Sequence, residues 1–226
     1  MSIEADLPLL RLLQIVSPAL PTGAFAYSQG LEEAVAEKWI TGEGEARTWL
    51  LGLLRWSFAT LDLPVLARLM TAWRDGDALG VTRWSRWLLA CRPTRELRAE
   101  DRQLGGALAR VLDGLGLVEA SAWARRPEVT HATMFALAAV RFQVGPAAAV
   151  AGQAFAWAEA VTAAAVRLVP LGQTAGQRVL AAAGAAIPAL AARALIIPDD
   201  EIGATAPGQA IASAAHETLY SRLFRS

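Results

Sequence analysis

His216 and Glu217 match the start of a pattern found in zinc hydrolases. In that pattern two histidines four residues apart on a helix hold the metal, and the glutamate acts as a general base. Tyr220 occupies the position four residues after His216, so the second ligand is missing, and the other histidine, His131, is followed by Ala-Thr-Met-Phe. The sequence therefore disfavours a zinc hydrolase and predicts no bound metal or other cofactor. A transient nickel or zinc contact at His216 is the alternative to an exposed polar role.

One glycine-containing loop, residues 170–178, is the stretch most similar to a phosphate-binding sequence. A P-loop has four residues between its glycines and then Gly-Lys-Ser/Thr, so that backbone N–H groups and a lysine surround the phosphates. Here three residues separate Gly172 from Gly176, and Gln-Arg follows. We therefore interpret the loop as a helix break, with Thr174 as the N-cap of the next helix.

The densest run of charges lies in the first half of the chain, between Cys91 and Gly105. Arg92 and Glu96 are four residues apart, so they can form an ion pair along a helix. A second such pair, Arg98 with Asp101, has a spacing of three. A solvated helix face is one interpretation of this run, and a polar contact strip for a partner is the other.

Cysteine and tryptophan give two further candidates for chemistry. Cys91 is the only cysteine, so an intrachain disulfide is impossible. A Cys–His nucleophile would need His131 beside Cys91 in the fold, which the spacing does not decide. Tryptophans can stack on nucleic-acid bases, but Trp49, Trp56 and Trp73 lie within apolar helical stretches, which favours a place in the core.

The balance of charges argues against a general nucleic-acid binder. Lys plus Arg and Asp plus Glu both number 21, whereas such binders carry a basic excess. Residues 1–10 contain acids where a secretory signal needs positive charge. The apolar stretch 179–192 is shorter than the roughly 20 residues that cross a bilayer. We expect a soluble protein located in the cytoplasm, binding neither nucleic acid nor a membrane.

Apolar spacing and turn residues predict helices throughout the chain and no sheet. Apolar residues recur on one face of residues 4–16, and Ser28 is placed to cap a second helix. Asp62 with Pro64 is typical of a helix start, and Asp77 can cap the helix after that. The fold class predicted is all-α, a single-domain bundle of about nine or ten helices. The remaining predicted helices cover residues 47–61, 65–73, 78–89, 93–112, 131–142, 147–168, 174–195 and 207–219.

Four stretches of the chain together resemble the urease accessory protein F family (UreF), helical proteins of the machinery that loads nickel into urease. They are residues 12–35, 62–64 with 88–105, 164–180 and 198–226, in the family's order. The resemblance implies an all-α protein without catalytic activity, expected to form one domain over residues 1–226. The family's motif positions expected to bind partners are Phe25, Tyr27, Ser28, Glu32, Arg167, Gly172, Gln173, Gln177, His216, Tyr220, Arg222, Leu223, Phe224 and Arg225.

The resemblance also implies particular partners. Members form homodimers and bind a second accessory protein, called D or H, and the nickel-carrying GTPase, protein G, in the service of the urease apoprotein. The implied function is that of an adaptor or chaperone in nickel insertion into the urease active site. Direct regulation of the GTPase, as an activator or a brake, is the alternative. Two positions depart from the family pattern: Arg167 stands where members commonly carry lysine, and Phe25 where some carry tyrosine.

The tail at about 217–226 is the segment that we expect to bind a partner. Aromatic and arginine side chains suit protein interfaces, because each buries a large area while offering a directed polar contact. We expect this tail to be held out for a partner rather than folded against its own core. Its predicted apolar anchors are Tyr220, Leu223 and Phe224, and their polar neighbours are Arg222 and Arg225.

Overall fold

The computed structural model describes residues 7–226, and all regular structure in this part of the chain is helical. Residues 1–6, on which the expectation about a secretory signal partly rests, lie outside it. The prediction of an all-α fold with nine or ten helices is confirmed. The α-helices are α1 (Leu7–Val16), α2 (Leu31–Ala36), α3 (Glu43–Leu53), α4 (Leu63–Asp75), α5 (Ala78–Ala90), α6 (Arg95–Gly114), α7 (His131–Arg141), α8 (Pro146–Leu168), α9 (Gln173–Ile196) and α10 (Pro207–His216).

Of the two helix caps predicted at Asp77 and Ser28, the structure confirms Asp77. The Asp77 carboxylate accepts a hydrogen bond from the Gly80 N–H at 2.8 Å and caps α5. The cap predicted at Ser28 is wrong by two residues, because Gly30 directly precedes α2 and that helix has no side-chain cap. The Ser28 hydroxyl still accepts from the Glu32 N–H at 3.2 Å in the first turn of α2.

The predicted cap of α9 is wrong by two residues. Gly172 precedes the helix, and Thr174 lies inside its first turn. Gly176 serves the packing of α8 against α9, because a Cβ at this position would lie 2.6 Å from Val166 Cγ2. The glycines of this loop thus allow two long helices to approach closely.

The helix start predicted at Asp62 and Pro64 is also wrong. A π-helical segment, Leu54–Asp62, joins α3 to α4, so the helix runs unbroken from Glu43 to Asp75. A proline inside an α-helix clashes with the carbonyl four residues earlier, which here belongs to Thr60. Because Thr60 lies in the wider π-helical turn, the chain accommodates Pro64 without ending the helix.

The main core lies where α4, α7, α8 and α9 pack together. Met134 and Phe135 of α7 are completely buried, and Leu66 and Leu69 of α4 meet them in the same cluster. A smaller cluster forms where α2, α8 and α10 approach one another, and it includes Leu31. This second cluster positions the candidate site.

The three tryptophans predicted for the core have different environments. Trp73 is partly buried against the core, where its Nε1–H donates to the Thr133 carbonyl at 3.0 Å. Trp49 is partly buried against the smaller cluster. Trp56 is 60% exposed, so the prediction is wrong for this residue.

Three helical stretches are long and apolar enough to cross a membrane, judged by length and composition alone. The stretch 179–192 belongs to a helix of 24 residues, so the length argument made from the sequence does not hold. In this fold α9 packs against α3, α4 and α8, so parts of these apolar faces cover one another. The three stretches are Glu43–Asp75, Pro146–Leu168 and Gln173–Ile196.

Candidate partner-binding site

The segment after α10, residues 217–226, folds back across α2 and α6. Phe224 is only 4% exposed and packs in the smaller apolar cluster with Leu31 and Ala212, and Ser226 is fully buried. The expectation of a tail held out from its own core is therefore wrong for Phe224. The physical reason is that leucine and small alanine side chains from α2, α8 and α10 leave a pocket that an aromatic ring fills.

The carboxylate of Glu32, on α2, holds the backbone of this tail. Its Oε1 accepts from the Leu223 N–H at 2.7 Å, and its Oε2 accepts from the Phe224 N–H at 2.9 Å. Hydrogen bonds to an ionised acceptor are roughly twice as strong as neutral ones. One side chain thereby fixes two consecutive peptide groups of the tail.

His216 is completely buried at the end of α10, so the interpretation as an exposed polar residue is wrong. Its Nδ1 lies 2.7 Å from Glu96 Oε2, and its Nε2 lies 3.2 Å from Glu32 Oε2. An imidazolium can donate to both carboxylates at once, whereas a neutral ring can donate to only one. His216, the last residue of α10, therefore links that helix to α2 through Glu32 and to α6 through Glu96.

Glu96 and Glu217 tie the start of α6 to the tail. The second oxygen of Glu96 accepts from Arg222 Nη1 at 2.6 Å. Glu217 Oε1 accepts from the backbone N–H groups of Arg95 at 3.0 Å and of Glu96 at 3.3 Å, where the helix leaves them unpaired. An acid at a helix N-terminus is also favoured by the helix dipole.

The last two residues bind the loop that precedes α2. The Ser226 carbonyl accepts from the backbone N–H of Ser28 at 2.9 Å and from its hydroxyl at 2.5 Å. The Arg225 N–H donates to the Ala26 carbonyl at 2.8 Å. The first and last sequence stretches of the family resemblance therefore meet in one structure.

Glu100 lies beneath the end of the tail and is almost completely buried. It accepts from Gln29 Nε2 at 2.7 Å and from the Ser226 hydroxyl at 2.6 Å. Burial raises the pKa of Glu100 to about 7, although both hydrogen bonds favour the ionised form. Nearby, the Tyr27 hydroxyl donates to Gln103 Oε1 at 2.5 Å, and burial raises the pKa of this phenol.

Part of the docked tail faces solvent. Tyr220 is fully exposed and Leu223 is 57% exposed. Phe25, in the short helical turn Ala24–Ala26, is also exposed, and its carbonyl lies 3.4 Å from Arg167 Nη1. The Arg167 guanidinium stands over the Phe224 ring at 4.9 Å, a cation–π contact that links this turn to the tail.

The remaining predicted positions lie at the start of α9. Gly172, Gln173 and Gln177 are exposed there, and within the described residues no hydrogen bond joins their side chains to the tail. Leu171, directly before them, packs against the cluster that contains Phe224. This region is therefore adjacent to the cluster rather than part of the hydrogen-bonded tail.

The charge run forms a buried network instead of the predicted pairs. Asp62 accepts from Arg92 Nη2 at 2.5 Å and Nη1 at 3.2 Å, and Arg92 Nε donates to Asp101 at 2.9 Å. Asp101 also accepts from the His131 N–H at 2.9 Å. Sequence reasoning missed the structural role of these acids, because their partners come from other elements.

Cys91 and His131 both line a cavity of about 830 Å³. Burial raises the pKa of the Cys91 thiol and lowers the pKa of His131, so the thiol stays protonated. His131 Nδ1 pairs with Gln153 Nε2 at 3.0 Å. This environment gives no support to a Cys–His nucleophile.

Comparison with known proteins places the chain in one family. The UreF family model matches residues 40–184. The urease accessory protein UreF of Alkalilimnicola ehrlichii is 47% identical over 216 residues, which is 96% of this chain and 95% of that protein. UreF of Pseudomonas putida is 46% identical over 224 residues, covering 99% of this chain and 100% of that protein. The protein described here belongs to the UreF family of urease accessory proteins.

Proposed function

We propose that this chain is an adaptor, or chaperone, for nickel insertion into the urease active site. It bridges accessory protein D or H and the nickel-carrying GTPase, protein G, and so serves the urease apoprotein. In this proposal the chain forms a homodimer in the cytoplasm and has no catalytic activity of its own. Membership of the UreF family supports the general role in urease maturation.

The docked tail is the observation that supports the bridging role. Its backbone is fixed by Glu32 and by Ser28, while Tyr220 and Leu223 remain exposed. A surface that is ordered before binding loses less conformational entropy when the partner arrives. An exposed tyrosine beside an exposed leucine on a fixed backbone is suited to bind protein D or H.

An apolar face on α1 supports the homodimer. Its four leucines each expose more than half of their surface, and such faces are typical of protein interfaces. Light scattering on the purified chain measures the oligomeric state, and a dimer is the expected result. A monomer at all concentrations would remove this part of the proposal. These leucines are Leu7, Leu9, Leu10 and Leu13.

Size-exclusion chromatography of mixtures tests the adaptor role. Protein D or H should co-elute with protein G only when this chain is present. Without this chain, the two should elute separately. Co-elution of D or H with G in its absence, in equal yield, would contradict the proposal.

Direct regulation of the GTPase, as an activator or a brake, is the alternative, and an activator of this kind requires an available arginine. An activating arginine must reach the phosphates of the bound nucleotide. Arg222 is held by Glu96, whereas the Arg225 side chain makes a long contact, 3.4 Å, with Gln103 and lies beside the Tyr27 hydroxyl. Rates of GTP hydrolysis by protein G with this chain and with Arg225→Gln distinguish the two: an adaptor leaves the intrinsic rate unchanged.

A further inference from the structure

A surface groove of about 430 Å³ lies between the face of α3, the segment after α2 and the start of α10. Its wall on one side is the loop and first turn that contain Thr205 and Gln209. Three tryptophans line it: Trp39, Trp49 and Trp56. None of its lining residues belongs to the docked tail, so the groove is separate from the proposed adaptor surface.

The floor of the groove is open because glycines recur along one face of the helix that forms it. Gly44, Thr48, Gly52 and Trp56 are spaced by four, which places them on one helical face. A Cβ added to Gly44 or Gly52 would meet nothing within 4 Å. The missing side chains leave space above the helix at both positions.

Two of the aromatic side chains present their surfaces to solvent. Trp39 is 44% exposed and Trp56 is 60% exposed. Tryptophan is one of the aromatic residues that are enriched at protein interfaces, and its ring is the best partner for a cation. Two exposed indoles at one groove therefore form a surface suited to a flat, positively charged group.

The residues that line the groove carry a single charge, which is negative. Glu45 is the only charged residue among those that line it, it is exposed, and it forms no ion pair in the described residues. The neighbouring acid Glu43, by contrast, is paired with Arg178 at 2.5 Å. The groove thus combines aromatic faces with one carboxylate that is free to receive a cation.

We infer that this groove binds an arginine side chain presented by a partner protein. A guanidinium is planar and stacks on an indole while its edge donates to a carboxylate, so both features of the groove are used by one group. A lysine ammonium is a more strongly hydrated point charge and cannot stack in this way. A proline ring could lie on the indoles but would leave Glu45 without a partner.

Nuclear magnetic resonance of the tryptophan indole N–H groups tests the inference. The full chain is titrated with three capped tripeptides that differ only in the central residue: arginine, lysine or citrulline, the neutral isostere of arginine. Trp39→Phe and Trp56→Phe assign the two signals. We expect these two signals to shift with the arginine peptide, at several-fold lower concentration than with lysine, and not with citrulline.

Glu45→Gln is the matched test of the charge, with the exposed Glu37→Gln as its control. Glu45→Gln should weaken arginine binding about fivefold, and Glu37→Gln should leave it unchanged. Equal shifts with arginine and citrulline would overturn the inference, as would shifts confined to the tryptophans that do not line the groove. Because the tail is untouched by these variants, failure here would leave the adaptor proposal intact.

Discussion

Glu32 and His216 lie 184 residues apart in the sequence, yet Glu32 Oε2 is 3.2 Å from His216 Nε2. The same carboxylate accepts from the Leu223 and Phe224 N–H groups. One acid on α2 therefore holds both the end of α10 and the tail that follows it. The stability of the docked tail should depend on this residue more than on any neighbouring acid of α2.

Glu32→Gln tests this dependence, because it keeps the shape of the side chain but removes its charge. We expect the free energy of unfolding to fall by about 1–3 kcal/mol, since the Leu223 and Phe224 N–H groups lose an ionised acceptor. Amide hydrogen exchange at Leu223 and Phe224 should also accelerate. Glu37→Gln, on an exposed acid directly after α2, should change the free energy by less than about 0.5 kcal/mol. Unchanged exchange in Glu32→Gln would show that other contacts hold the tail.

Alanine substitutions of Phe224 and Tyr220, two aromatic residues of the tail, should differ in their effect on stability. Phe224→Ala should lower the free energy of unfolding by about 3–5 kcal/mol, because it empties a buried site. Tyr220→Ala should lower it by less than about 0.5 kcal/mol, because that ring is fully exposed. Chemical denaturation of both variants measures the difference. Similar losses of unfolding free energy in the two variants would contradict the burial of the Phe224 ring and the exposure of the Tyr220 ring.

The buried carboxyl of Glu100 predicts a dependence of stability on pH. Its pKa is raised to about 7 from an ordinary 4.5, so the folded state binds the proton more tightly than the unfolded state does. Its stabilising contribution is therefore complete below an ordinary carboxyl pKa and is lost as the pH rises through 7, by about 3 kcal/mol in total.

Denaturation of the wild type and of Glu100→Gln between about pH 4 and pH 8 measures this contribution. Other buried groups titrate in both proteins, including Asp62, whose pKa burial raises, and His131, whose pKa burial lowers. The difference between the two proteins isolates Glu100, and it should shrink as the pH rises. A difference that is constant across the range would contradict the raised pKa.

Gly30 allows α10 to approach the start of α2, and Gly23 provides a matched comparison. Both have a positive φ, 84° and 82°, so alanine is strained at either position. A Cβ on Gly30 would also lie 3.0 Å from the Ser213 backbone nitrogen, whereas one on Gly23 would meet nothing within 4 Å. Gly30→Ala should therefore destabilise the fold by about 1–3 kcal/mol more than Gly23→Ala, as measured by thermal unfolding. Equal effects would mean that backbone strain alone matters.

Much of the helical architecture was predictable, because the signals that set it are local. The Asp77 cap and the spans of α7 and α8 follow from polar caps and breaker residues at their ends. The continuity of the helix through Pro64 was not predictable, since proline usually ends a helix. Only the wider π-helical turn before it removes the clash, and that turn has no recognised sequence signal.

The sequence allowed us to predict which residues belong to the candidate site, but not how they contact one another. Glu96 and Glu100 are spaced like the solvated face of a charged helix, and they are buried because the tail supplies their partners from more than 100 residues away. Phe224, between Leu223 and Arg225, has the local sequence of an exposed anchor. Its pocket is built by side chains of other helices, so no local pattern could reveal it.

The affinity for protein D or H of a Tyr220→Ala, Leu223→Ala double variant tests the central claim most directly. Both side chains are exposed, so the variant should keep the wild-type stability and leave the docked tail in place. We predict that the dissociation constant, measured by calorimetry, rises at least about tenfold. Leu79→Ala, an equally simple change at an exposed leucine of α5, should leave it unchanged. A dissociation constant for the double variant equal to that of the wild type would contradict the account.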